Sequence, residues 1–108
     1  MKILKKLREY IKKNSSKTQA IEFKETLKTK INYDAHLLEL IENSLKGLQE
    51  LNRSEVSMNI ENTIDILLRS RELISLRCQK THRTLNRVID LIETKKYKKI
   101  LKIKNGED

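Results

Sequence analysis

"LNRSE", residues 51–55, is the stretch whose reading decides the fold. Asn52 suits a helix C-terminus and Ser54 the N-cap of a following helix. Glu55 is favoured by the dipole in that helix's first turn. On either side the sequence keeps a helical period. Upstream, from about Lys17 to Leu51, Leu27, Ile31, Leu38, Ile41, Leu45 and Leu48 recur at steps of three and four, with Asp34 standing where an apolar residue is due. Downstream, from Glu55 to about Glu93, the apolar seam is Val56, Ile60, Ile64, Leu67, Ile74, Cys78, Leu85, Val88 and Ile92. Arg71 and Thr81 occupy two of its positions. Two long helices joined by a short turn lie antiparallel. A fold centred on residue 53 pairs position i with roughly 106 − i, so that Leu45 meets Ile60, Ile41 meets Ile64 and Leu38 meets Leu67.

Before this hairpin, "KILKKLREYIKK" places Ile3, Leu4, Leu7, Tyr10 and Ile11 on one face of a short amphipathic helix. "NSS" then interrupts, and Ser16 with Gln19 reads as a capping box that opens the next helix. Within "INYDAH", Asp34 reads as the N-cap of a fresh helix, so the second helix is either one rod or two pieces. Gly47 costs about 1 kcal/mol relative to Ala, which a long helix tolerates. After Glu93, "ETKKYKKILKIKNGED" puts Tyr97, Ile100 and Leu101 on one side with lysines opposite. Its apolar side could close the open end of the hairpin against the first helix. The expectation is an all-α protein: a long antiparallel helical hairpin with a short N-terminal amphipathic helix, together a three- to four-helix bundle open to dimerisation. Residues 1–94 form a single helical domain and 95–108 a basic C-terminal helix extension or tail.

Composition agrees. The 108 residues include no Pro, two Gly and four aromatics, too little punctuation for a sheet protein. A domain this small buries a thin core, so a second copy or a partner is expected. A lone cysteine, Cys78, forms no internal disulfide. With His36 and His82 far apart, no metal centre and no cofactor are expected. No run approaches the roughly 20 apolar residues that span a bilayer. The first residues lack the apolar core and cleavage site of a signal peptide. The expected location is cytoplasmic.

The net charge of +9 is unevenly spread. Residues 1–30 carry +7, residues 31–66 carry −5, residues 67–94 carry +3 and residues 95–108 carry +4. Folded as a hairpin, the acidic segment wraps the tip and the basic segments gather at the other end, where they would steer anionic partners.

Within "LRCQKTHRTLNR", residues 76–87, Lys80, Arg83 and Arg87 share one helix face, and Arg77 extends the charge around it. With Lys95, Lys96, Lys98 and Lys99 of the tail they form the expected contact surface for the phosphates of RNA or DNA. No helix-turn-helix spacing is present, so base readout is not expected. Arg77 and His82 also make an R-x-x-x-x-H element that resembles the signature of the HEPN ribonucleases, small all-α proteins with a dimeric RNA-cleaving site. The resemblance implies proton transfer by His82 and stabilisation of phosphate charge by Arg77. It covers two residues, and Cys78 stands where that family usually has a polar residue.

In length, charge and expected architecture the chain also looks like the bacteriocin immunity proteins, a likeness that transfers no residue. No hydrolase triad, paired-carboxylate site or phosphate-binding glycine loop is present, and no small-molecule substrate is expected. The principal expectation is a non-enzymatic nucleic-acid-binding protein, of a kind that could serve a phage, plasmid or defence system. A protein–protein interaction module, as an inhibitor or adaptor with a helical partner, is the alternative. Weak contact of residues 2–13 and 93–108 with an anionic membrane is a further option.

Overall fold

A computed structural model describes residues 2–52 and 58–106. They form three helices: α1 over Lys2–Asn52, α2 over Met58–Glu93 and α3 over Tyr97–Lys104, with no strand among the described residues. The expected turn at Arg53, Ser54 and Glu55, and the seam position Val56, lie outside the described residues.

The apolar seams are where the periodicity places them. In α1, Leu27, Ile31, Leu38, Ile41, Leu45 and Leu48 are all buried or half-buried, and Ala20 continues the row toward the N-terminus. In α2 every position from Ile60 through Ile64, Leu67, Arg71, Ile74, Cys78, Thr81, Leu85 and Val88 to Ile92 is shielded likewise. This unbroken alternation of three and four is a heptad row on each helix.

The expected break at "NSS" is absent, and of the two forms open to the second helix the unbroken one is found. α1 runs through "NSS" without interruption, so there is no separate N-terminal helix and no capping box. Ser16 Oγ instead donates to the carbonyl of Lys12 at 3.1 Å, and Gln19 Nε2 donates to Ser15 Oγ at 3.4 Å. A serine can satisfy its hydroxyl on the carbonyl four residues back inside a helix. With no Pro or Gly nearby, nothing forces the chain out. α1 also passes through "INYDAH", so Asp34 is an interior helical residue, not an N-cap.

The chain divides into two compact units, Met1–Thr29 with His82–Asp108, and Lys30–Thr81. In the first, Ala20 and Leu27 of α1, Leu85 and Val88 of α2, and Tyr97 and Ile100 of α3 are buried. α3 is therefore bound to its unit by its own apolar side. Between α2 and α3 the chain turns through Lys95 at φ 58°. The Lys96 N–H donates to the Leu91 carbonyl at 2.8 Å and the Lys95 N–H to the Ile92 carbonyl at 3.0 Å. This six-to-one and five-to-two pair is a Schellman ending, in which the left-handed residue is usually glycine.

In the second unit the buried side chains are Ile41, Leu45 and Asp34. α1 and α2 are antiparallel here, joined by ion pairs between Glu42 and Arg71 at 2.8 Å and between Asp34 and Arg77. The paired residue numbers add to 113 and 111, where a fold centred on residue 53 requires 106. The difference arises because α1 continues to Asn52 and α2 begins at Met58, which puts the midpoint of the two helix ends at residue 55.

Candidate nucleic-acid interface

The two units differ sharply in charge. Met1–Thr29 and His82–Asp108 together contain 17 basic and 7 acidic residues, a net +10, whereas Lys30–Thr81 contains 7 and 8, a net −1. The excess positive charge of the protein therefore belongs to the first unit.

Within that unit an open cleft of about 730 Å³ is lined by Glu9, Lys12 and Ser16 of α1, by Lys95 and Lys96 of the turn, and by Tyr97, Lys98 and Lys99 of α3. The buried Tyr97 ring fixes the first turn of α3, so the lysines on either side of it project from a held backbone. All five cleft lysines belong to one unit and are exposed. None of them forms an ion pair among the described residues.

Four of these placements run against local preference. Lys95 is the one non-glycine residue with positive φ among those described; a side chain there costs roughly 1–2 kcal/mol that glycine avoids. Lys96 is the N-cap residue of α3 and makes no side-chain capping bond, where Ser, Thr, Asp or Asn is preferred. Lys98 and Lys99 lie in the first turn of α3, which holds no acidic residue. The partial positive charge of a helix N-terminus disfavours cations at that place.

The other residues singled out from the sequence are placed as follows. Arg83 and Arg87 are exposed on α2 in the first unit, and Lys80 is exposed on α2 in the second. Arg77, also in the second unit, directs Nε at Asp34 Oδ2 at 3.2 Å and Nη2 at Oδ1 at 2.5 Å. This hydrogen bonding, followed by the attraction of the same carboxylate, raises the Arg77 pKa above the ordinary arginine value. His82 is exposed on α2 and Cys78 is half-buried. The structure thus groups Lys95, Lys96, Lys98 and Lys99 with Lys12 around one cleft. Among the described residues no group of three His, Cys, Asp or Glu side chains is placed to hold a metal ion, and no helix is long and apolar enough to cross a membrane.

Sequence reasoning missed Lys12, Glu9 and Ser16 as neighbours of the tail lysines. The usable signal was the joint excess of lysine in residues 2–13 and 95–104, two segments that each need an apolar surface to close against. Comparison with protein-family models, with curated protein sequences and with solved structures returned no match.

Proposed function

We propose that the protein binds nucleic acid through phosphate contacts, using the lysines that surround the α2–α3 turn together with Lys12. The observation that carries this reading is the convergence of five exposed lysines on one cleft, all four tail positions being ones that helix stability alone would fill differently. Like charges beside the positive end of a helix repel one another, and a polyanion laid across them removes that repulsion. The net +10 of the surrounding unit supplies the longer-range attraction. Contacts of this kind position a nucleic acid and carry no base information. RNA and DNA of unrelated sequence should therefore bind alike, with affinity falling steeply as salt rises. The proposal includes no catalytic step. Fluorescence-anisotropy titrations of labelled RNA and DNA, with Lys98→Ala/Lys99→Ala beside the parent chain, test it. Equal binding by the two proteins would refute it.

A second reading, self-association, is favoured by a different observation. In Lys30–Thr81 the large apolar residues Leu40, Ile66, Leu73 and Leu76 are exposed, while Ile41 and Leu45 are the apolar residues buried there. A net charge of −1 does not oppose pairing of two copies through this unit. Sedimentation equilibrium of the parent and of Ile66→Ser/Leu73→Ser decides it. A concentration-dependent dimer dissolved by the substitutions is the supporting result, and two indistinguishable monomers are the opposing one.

A further inference from the structure

The first turns of α1 carry an apolar strip that the fold leaves uncovered. Ile3, Leu4, Leu7, Tyr10 and Ile11 are between 51% and 81% exposed. At 3.6 residues per turn they occupy an arc of about 120°. Glu9, Lys12 and Ser16, the α1 residues of the lysine-lined cleft, are centred on the opposite side of the same helix. The strip and the cleft are therefore separate surfaces.

We infer that this strip is a membrane-docking surface, which lays the N-terminal part of α1 in the plane of an anionic lipid headgroup layer. The occupant follows from charge. Residues 2–13 contain six basic residues and one acidic residue, a net +5. Lys6 and Arg8 fall just beyond the two edges of the apolar arc, where long side chains extend their charged ends to phosphate while their stems rest on apolar surface. A second copy docked on the strip would set +5 against +5, whereas anionic lipid neutralises it. A span of twelve residues at 1.5 Å each is about 18 Å, short of the roughly 30 Å of a bilayer core, so the helix lies along the surface and does not cross it.

The test uses the full chain with vesicles of phosphatidylcholine, alone or mixed with phosphatidylglycerol. The parent should cosediment with the mixed vesicles and stay in solution with the neutral ones. Leu4→Ser/Leu7→Ser keeps every charge and alters exposed positions only. With helix content unchanged by circular dichroism, it should bind the mixed vesicles ~10-fold more weakly. The protein contains no tryptophan, so Tyr10→Trp introduces a single indole at the strip. Its emission should shift to the blue with mixed vesicles alone. Undiminished vesicle binding by Leu4→Ser/Leu7→Ser, or an unshifted indole, would overturn the inference by showing charge attraction without insertion. So would a dimer that the double substitution dissolves while vesicles leave the parent in solution, which would give the strip to a second copy. Binding of RNA by Leu4→Ser/Leu7→Ser should match the parent; loss of it would merge the two surfaces and end the claim of a separate one.

Discussion

Arg77 holds both carboxylate oxygens of Asp34 in a two-pronged contact across the helical pair. The two partners are unequally placed: the Asp34 side chain is 4% exposed, and that of Arg77 is 57% exposed. A buried carboxylate in an apolar seam requires such a partner, and the forked guanidinium is the side chain that satisfies both oxygens at once.

This asymmetry predicts unequal substitutions. Arg77→Ala strands a shielded carboxylate and should lower the thermal midpoint clearly. Asp34→Leu restores the apolar residue that the heptad row calls for and leaves Arg77 in contact with water, so it should be neutral or stabilising. Thermal unfolding of the two variants followed by circular dichroism checks the order. Because the shift at Arg77 is upward, the stability linked to protonation of Arg77 is fully present below the ordinary arginine range and is lost only above it. Titration of Arg77 therefore adds no pH dependence to stability near neutrality.

The α2–α3 turn predicts opposite effects on stability and on binding. Lys95→Gly relieves the left-handed strain and should stabilise by about 1 kcal/mol. Lys96→Asp supplies the missing N-cap of α3 and should also add about 1 kcal/mol. Both remove a cleft lysine, so both should weaken RNA binding. Denaturant unfolding paired with anisotropy measures the two effects on the same samples.

Ile100 is fully buried, and Ile100→Ala should cost about 2–5 kcal/mol by opening a cavity beneath α3. Hydrogen exchange should report the loss first in the amides of residues 97–104 if α3 opens before the rest of its unit.

The continuity of α1 through Ser16 makes a further prediction. If Ser16 capped a helix, Ser16→Ala would cost about 1 kcal/mol. As an interior helical residue bonded back to Lys12, it should tolerate alanine within about 0.5 kcal/mol, since alanine is the better helix former. Urea unfolding separates these values.

The seams of both long helices were legible because burial repeats at three and four, and each residue from Leu27 to Leu48 reports that period locally. Helix ends were less legible. Ser16, Gln19 and Asp34 have the chemistry of caps, but the same oxygens can be satisfied on an interior carbonyl or on an arginine 43 positions away. Which option prevails depends on tertiary partners that local pattern does not contain. α2 ends at Glu93 as the pattern suggests. The ending itself is made by Lys95 in a conformation that its residue type does not announce. The tail lysines were recognisable as a basic group; their proximity to Lys12 follows from burial of Tyr97 and Ile100, a long-range contact.

The most direct measurement is the salt dependence of RNA binding, as log Kobs against log salt concentration, for the parent and for Lys12→Ala/Lys98→Ala/Lys99→Ala. Each lost phosphate contact on a single strand should reduce the slope by roughly 0.7. The account predicts a triple variant with weaker binding and a slope shallower by about 2. A variant whose affinity and slope both equal those of the parent would contradict it.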